Sequence, residues 1–311
     1  MSRVGKTILF GLLIAVIGVV ASFVEFAHEL EENSGLGLLF QLRGAKSAPS
    51  EVVIISIDRE SSERLNLPDN PDRWPRSLHA RLIETLAKQG ASVIIFDLYF
   101  VDPRSATEDD LLAEAIRAAR NVVLAEPLKA RDIPASQSPG VLTAEHRIVE
   151  TVKPIAPVSR AAFASAPFVL PKLPIKVNQY WAFQTAAGDS PTFPVVAFQL
   201  YALPAYEEFF GLLEAVNPTA ARRLPAHGSV VLEAGGALRL IREIRAIFQS
   251  EPSLAVRMSA ELQRSGLAGR APSKSALIES LIGMYGGADH RYLNYYGPPR
   301  SLRTVPFYQV L

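Results

Sequence analysis

The sequence predicts an α/β fold centred on a parallel sheet, with a helical insertion and one transmembrane helix before it. Three observations indicate this class: an uncharged apolar stretch near the N-terminus, β-branched runs that alternate with amphipathic helices over residues 52–125, and a later region with helical periodicity. The chain has 311 residues, of which 49% are hydrophobic. It can therefore bury a sizeable core, and we expect it to fold rather than stay disordered.

The first element is the stretch at residues 7–24, which comprises 18 residues without a charge. As a helix it would be roughly 27 Å long, close to the hydrocarbon core of a bilayer, which is about 30 Å thick. Arg3 and Lys6 precede this stretch, and four glutamates follow it within residues 25–32. This asymmetry predicts a single-pass membrane helix, with residues 1–6 in the cytoplasm and the main domain outside; in a bacterium that membrane would be the inner one and the main domain would be periplasmic or extracellular.

A cleaved signal peptide is the alternative interpretation of the same stretch. The residues at 19–21, Val-Val-Ala, form a possible small-residue cleavage site. Both interpretations place the rest of the chain outside the cytoplasm and differ only in whether it stays anchored. Residues 25–49 are then predicted to form a stalk and linker.

The following segment alternates strands and helices. Strands are predicted at 52–57, 92–96 and 121–125, with helices at 77–90, capped by Ser77, and at 107–120, capped by Thr107. Short connections between such elements require a parallel sheet with right-handed crossovers. The first strand is a continuous β-branched run, which predicts burial on both of its faces.

The later part of the chain is predicted to be largely helical. Frequent prolines over 127–180 indicate loops and short strands. Helices are predicted at 193–203, 207–216, 238–249, 253–265 and 273–285, and a strand at 291–296. We interpret 206–287 as a helical insertion within a domain that spans 50–311.

Three acidic residues mark one edge of the predicted sheet. Asp58 and Asp97 each follow a parallel strand, and Asp102 lies in the loop after the second. Ligands bind at this edge in open α/β sheets, and grouped carboxylates suit Mg²⁺, Ca²⁺ or a cationic ligand. The alternative is that each aspartate caps a helix or fixes its own loop.

Trp74 and Arg76 flank a proline in the loop that faces these strand ends. An indole and a guanidinium on a rigid loop predict one wall of a ligand pocket. The alternative is structural: Trp74 covers the edge of the sheet and Arg76 pairs with Asp58 or Asp97.

Several function classes are not supported. A net charge of +1 gives no electrostatic field strong enough to indicate nucleic-acid binding. The absence of cysteine excludes disulfides and thiolate metal sites. The sequence contains no phosphate loop, nucleophile elbow or paired metal-binding histidines, so we predict no catalytic residue, no metal, no cofactor and no enzymatic activity. A metal-dependent hydrolase that uses Asp97 is the remaining enzymatic hypothesis, but no general base accompanies it.

These segments together resemble a known family. The succession VVIISID, WPRSLHARLIETLAKQGASVIIFDLYFVDP and NVVLA, with YLNYYGPPRSLRTVPFYQVL near the end, resembles the second class of CHASE domains, the cyclase/histidine-kinase-associated sensory extracellular domains. The resemblance implies an extracytoplasmic sensor after an N-terminal transmembrane helix. In that family further transmembrane helices and a cytoplasmic output module follow, so Leu311 is expected to end either a fragment of a receptor or an accessory subunit.

The functional hypothesis is therefore the sensory portion of a membrane-anchored bacterial signalling receptor. It would bind an unidentified ligand or partner outside and pass the change through its transmembrane helix. The alternative is a single-pass structural subunit of a larger membrane complex. The expected partners are the bilayer, through residues 7–24, and either a second copy of the chain or other membrane subunits, with no nucleic acid.

Overall fold

The computed structural model describes residues 9–16, 18, 35–133, 146–168, 170, 177–229 and 235–311. Two compact units are present, one made of Met1–Ile54, Leu170–Tyr180 and Tyr292–Thr304, and a larger one made of Ile55–Val169, Trp181–Arg291 and Val305–Leu311. Residues 9–16 are helical, whereas most of the predicted membrane helix and residues 25–34 of the predicted stalk lie outside the described residues. No helix among the described residues is long and apolar enough to cross a membrane.

The elements alternate in the first half and are mainly helical in the second. The helices are α1 Leu36–Arg43, α2 Arg59–Leu65, α3 Arg76–Lys88, α4 Ala106–Ala119, α5 Ala156–Ala161, α6 Phe193–Tyr201, α7 Tyr206–Val216, α8 Pro218–Ala221, α9 Gly236–Ser250, α10 Leu254–Arg264, α11 Leu267–Arg270 and α12 Pro272–Gly286. The strands are β1 Val53–Ser56, β2 Ile94–Phe96, β3 Val122–Glu126, β4 Leu128–Ile133, β5 His146–Thr151, β6 Ala164–Pro167, β7 Gln179–Trp181, β8 Phe183–Gln184, β9 Ser190–Pro191, β10 His290–Tyr292 and β11 Arg303–Pro306. This is the mixed α/β class that the sequence predicts.

The centre of the larger unit is a parallel sheet of three strands in the order β2-β3-β6. Ile94 lies opposite Val122 and Phe96 opposite Leu124, and on the other side of β3 Ala125 lies opposite Ala166. All five residues of β3 are buried, as expected for the middle strand of a parallel sheet that is covered on both faces. The prediction of a parallel sheet that contains the second and third strands is confirmed.

The sequence correctly predicts β1 as a strand, but its predicted burial and its predicted place in the parallel sheet are wrong. This strand is not part of the three-stranded sheet, and Val53 and Ile54 are each 43% exposed. The division between the two units falls inside it, after Ile54. A β-branched run indicates a strand, but it does not determine which strand becomes its neighbour, because pairing depends on residues far away in sequence.

Two predicted helix caps are also displaced. The helix α3 begins at Arg76 after Pro75, and the backbone N–H of Ser77 donates instead to Oε2 of Glu108 at 2.9 Å. The helix α4 is capped by Ser105, whose hydroxyl accepts from the N–H of Glu108 at 3.3 Å, and not by Thr107. Several residues near a helix start can act as the cap, and helix ends are uncertain by one or two residues, so the sequence predicts the helix more reliably than its first residue.

Alternation along β3 places apolar side chains on both sheet faces. Val122 and Leu124 belong to a core formed with β2, α3 and α4. Val123 and Ala125 belong to a second core, which β6, α6 and the later helices complete. Successive side chains of a strand point to opposite faces, so β3 is shared by two cores that lie on opposite sides of the sheet.

The second core contains the predicted helical region. Five predicted helices are confirmed within a few residues as α6, α7, α9, α10 and α12, since a repeat of apolar residues every three to four positions is a local signal. The helices α10 and α12 approach closely at Gly286, where an added Cβ would lie 2.6 Å from Cβ of Ala255. The predicted strand at 291–296 is shorter, with β10 ending at Tyr292.

Candidate functional site

A pocket of about 180 Å³ lies next to β2, at the carboxyl end of that strand. Its walls come from the loop before α3 and the loop after β2, and they include three predicted site residues, Trp74, Arg76 and Asp102. Its remaining lining residues are Pro71, Asp72, His79, Leu98, Tyr99, Phe100, Val101 and Arg104. This volume is below the roughly 300–1,000 Å³ of pockets for drug-sized ligands, so the pocket suits a small molecule or ion.

Trp74 forms a fixed part of the pocket wall. Its side chain is buried, and its indole N–H donates to the carbonyl of Pro68 at 2.7 Å. The ring packs edge-on against Phe307, with 5.3 Å between the ring centroids. The indole therefore has its hydrogen bond satisfied and offers the pocket an apolar, rigid surface.

Arg76 is a buried cation in the same wall. It is 5% exposed, and its Nε lies 3.2 Å from Oδ1 of Asp109, which is also buried. Nη2 donates to the carbonyl of Asp102, and the guanidinium lies 5.4 Å from the centroid of the Phe100 ring. Burial lowers the pKa of Arg76 from its ordinary value, and the charge of Asp109 opposes this effect.

One terminal nitrogen of Arg76, Nη1, has no hydrogen-bond partner among the described residues. A second buried arginine, Arg245, shows the contrast. It has an ion pair to Asp189 at 3.2 Å, another to Asp289, and a hydrogen bond to the carbonyl of Tyr285. An unpaired buried donor on a charged group costs free energy, so Nη1 is an unsatisfied polar group of a residue that lines the pocket.

His79 lies one helical turn after Arg76 and lines the same pocket. It is 2% exposed and packs edge-on against Phe96, Phe100 and Phe307, at centroid distances of 5.7–5.9 Å. Burial lowers the pKa of His79 to about 4, with a smaller contribution from the positive charge of Arg76. The imidazole is therefore neutral at physiological pH, and its Nδ1 also has no partner among the described residues.

Arg104 and Asp72 also line the pocket. The guanidinium of Arg104 donates to the carbonyl of Asp72, and the backbone N–H of Arg104 donates to Oδ2 of Asp109 at 3.0 Å. The lining therefore carries two cations, Arg76 and Arg104, and two carboxylates, Asp72 and Asp102. Such a lining offers both hydrogen-bond donors and acceptors to a small polar ligand.

The predicted aspartates have different surroundings. Asp58 caps α2: its Oδ1 accepts from the N–H and hydroxyl of Ser61 at 2.9 and 2.7 Å, and its Oδ2 accepts from the hydroxyl of Ser56 at 2.7 Å. These hydrogen bonds, first that of Ser56, lower the pKa of Asp58. Asp58 therefore has the capping role that the sequence analysis gave as an alternative. Its predicted contact with a ligand remains a prediction.

Asp97 and Asp102 both lie on the carboxyl side of β2. Asp97 is at the end of the strand, and partial loss of water raises its pKa although the residue keeps an exposed side. Asp102 is exposed and lines the pocket. No group of three or more histidine, aspartate or glutamate side chains within the described part of the chain is arranged to hold a metal ion.

Sequence reasoning missed several residues of this site. The partner of Arg76 is Asp109 and not Asp58 or Asp97. His79 could have been found from its position three residues after Arg76, on the same helix face. Phe307 carries no local signal, because it reaches the pocket wall from more than 200 residues further along the chain.

The fold and the site define an α/β domain with a small pocket at the carboxyl end of a parallel strand. The model of the CHASE2 domain family matches residues 11–311, so this chain belongs to the CHASE2 family, as its resemblance predicted. CHASE2 domains are extracellular sensory domains of membrane signalling receptors. No curated protein and no solved structure matches the chain.

Proposed function

We propose that this chain is the extracytoplasmic sensory portion of a membrane-anchored bacterial signalling receptor and that it detects a small ligand in the pocket beside Trp74 and Arg76. In this proposal residues 7–24 span the inner membrane, residues 50–311 form the sensory domain, and 206–287 are a helical insertion in it. Membership in the CHASE2 family supports the sensory role, and the uncharged 7–24 stretch supports the anchor.

Two observations carry the ligand proposal: Arg76 lines a pocket of about 180 Å³, and its buried Nη1 has no partner among the described residues. A ligand that offers an oxygen acceptor would satisfy this donor, and Trp74 and Phe100 would cover its apolar part. The pocket is smaller than those for drug-sized ligands, which favours a small carboxylate, phosphate or similar polar molecule.

Thermal unfolding of the full chain in mild detergent tests this proposal with acetate, succinate and inorganic phosphate as probes. A probe at about 100 times its Kd would stabilise the fold by about 2.7 kcal/mol. Arg104→Gln, which deletes one of the two cations that line the pocket, should reduce the shift, whereas Arg242→Gln, which deletes the same charge at an exposed position of α9, should keep it. Absence of a shift with all three probes, or equal shifts in both variants, would contradict an anion site here.

Topology is tested by single cysteines, because the natural chain has none. In intact cells a membrane-impermeant maleimide should label Val256→Cys, at a position that is 73% exposed on α10, and should not label Ser2→Cys. Labelling of Ser2→Cys in intact cells, or of Val256→Cys only after lysis, would reverse the proposed orientation.

A structural subunit of a larger membrane complex is the second candidate function. It is favoured by β2, which within the described part of the sheet is an edge strand with Ile95 49% exposed. Exposed edge strands accept further strands from a partner. Ile95→Lys should then release a stoichiometric partner or second copy during purification, while Val256→Lys should not. An unchanged mass of the detergent complex would count against this function.

A further inference from the structure

The helix α1 is held on one side by residues of its own unit. The ring of Phe40 packs edge-on against Tyr295 at 5.7 Å, and the guanidinium of Arg43 lies 4.8 Å from the Phe40 ring. Nη1 of Arg43 donates to Oδ1 of Asn294 at 2.5 Å, and Nη2 donates to the carbonyl of Tyr295. The orientation of α1 within this unit is therefore fixed.

The opposite side of α1 is apolar and uncovered. Leu38, Leu39 and Leu42 are 56%, 61% and 75% exposed. At 3.6 residues per turn these positions fall within an arc of about 100°, which is about 100° away from Phe40 and is bordered by Arg43 on the side of Leu39. Three leucines on one arc of an eight-residue helix form a continuous apolar face that nothing in the described residues covers.

We propose that Leu38, Leu39 and Leu42 dock α1 into the interface of the lipid bilayer, with the helix lying along the membrane surface. The proposal rests on the membrane anchor proposed above, since only that anchor brings α1 to a bilayer. Eleven residues separate Val24 from Leu36, so α1 begins at most about 40 Å along the chain from the end of the anchor.

Other residues of the same unit fit an interfacial position. Its described residues carry four basic side chains, all exposed, and one acidic side chain, Glu51. The basic residues are Arg43, Lys46, Arg300 and Arg303. Tyr292 and Tyr295 are 51% and 42% exposed, and tyrosine is enriched at the level of lipid headgroups. The glutamates within 25–32 carry the opposite sign, so we expect the leucines to contribute more than charge does.

Site-directed spin labelling of the full chain in phosphatidylcholine vesicles tests this docking. Nitroxides are attached to Leu39→Cys and Leu42→Cys, with Gln41→Cys as the matched control on the same helix and Leu13→Cys in the anchor. The first two labels should collide with oxygen in preference to a water-soluble nickel chelate, at a depth of about 5–10 Å below the headgroups. The Gln41→Cys label should prefer the nickel chelate.

Two results would overturn the proposal. Preference for the nickel chelate at Leu39→Cys and Leu42→Cys would place the leucine face in water, and exclusion of both reagents would place it against protein, such as a second copy. The Leu13→Cys label separates this failure from that of the anchor. A lipid-exposed Leu13→Cys with water-exposed leucines would leave the anchor intact, and a water-exposed Leu13→Cys would contradict the anchor itself.

Discussion

At the scale of single residues, the burial of His79 makes the free energy of unfolding depend on pH. The folded imidazole has a pKa of about 4, below the ordinary value of 6.5, because burial disfavours the charged form. Between these values the unfolded chain binds a proton that the folded chain does not. Lowering the pH from 6.5 to 4 therefore favours unfolding, and the contribution of His79 to this loss approaches about 3 kcal/mol.

The prediction is that His79→Gln flattens the acid side of the stability curve. Urea unfolding of the full chain in detergent, followed by tryptophan fluorescence at several pH values, should show the natural chain losing about 3 kcal/mol more than the variant between pH 6.5 and 4. Parallel curves for the two proteins would mean that the imidazole titrates alike in both states.

How much of the site was predictable differs from residue to residue. Trp74 and Asp102 lie in loops and Arg76 begins α3, at positions that follow from the strand and helix pattern, so their meeting at one edge of the sheet could be anticipated. The ion pair of Arg76 with Asp109 depends on the packing of α3 against α4, and the contact of Phe307 with Trp74 depends on a distant segment. Neither contact leaves a periodicity or spacing in the sequence.

At the scale of elements, α12 offers a paired glycine test. An added Cβ at Gly286 would meet the Cβ of Ala255 at 2.6 Å, whereas at Gly283 nothing lies within 4 Å. Replacing a helical glycine by alanine otherwise stabilises by about 0.5–1 kcal/mol. We expect Gly286→Ala to destabilise by about 1–3 kcal/mol because α10 must move away.

The matched variant Gly283→Ala should stabilise the chain or leave it unchanged. Urea midpoints, with far-ultraviolet circular dichroism as the probe, compare the two directly. Stabilisation by both alanines would show that α10 and α12 are not held in close contact at Gly286.

Substitutions of Asp58 test whether this residue stabilises α2 as a hydrogen-bond acceptor or through its negative charge. Asparagine caps helices about as well as aspartate, whereas alanine removes the acceptor. We expect Asp58→Ala to cost about 1 kcal/mol in the free energy of unfolding and Asp58→Asn to cost less than about 0.5 kcal/mol. Equal losses in both variants would mean that the negative charge, and not the cap to Ser61, is what the fold requires.

The contrast between β1 and the later helices explains which elements could be predicted. Helices such as α9 repeat apolar residues within one continuous segment, and that pattern is complete in the sequence. The neighbour of a strand depends on segments far away in the sequence. The strand β1 could therefore be predicted, but its partner in a sheet could not.

At the scale of the whole molecule, the two cores of the larger unit should unfold together because both include β3. Leu124→Ala, in the core that contains Trp74, and Ile241→Ala, in the core of the later helices, should each cost about 2–5 kcal/mol. In a Trp181→Phe background, Trp74 fluorescence reports the first core and circular dichroism reports mainly the helices of the second. The two probes should give coincident transitions in both variants.

Separate transitions would contradict this cooperativity. If Leu124→Ala moved the fluorescence transition and left the circular dichroism transition in place, the sheet would not couple its two faces. The helical region would then be a separate folding unit.

The segment Val305–Leu311 packs behind residues that line the pocket. Phe307 contacts both Trp74 and His79, and Tyr308 donates to Glu60 of α2 at 2.9 Å. If binding in the pocket and the position of this segment are coupled, each must influence the other by the same factor. If an occupied pocket shifts this segment between two positions, then any restraint on the segment must alter the affinity of the pocket by the same factor. An immobilised Phe307 would thus set the sensitivity of the pocket without touching the ligand.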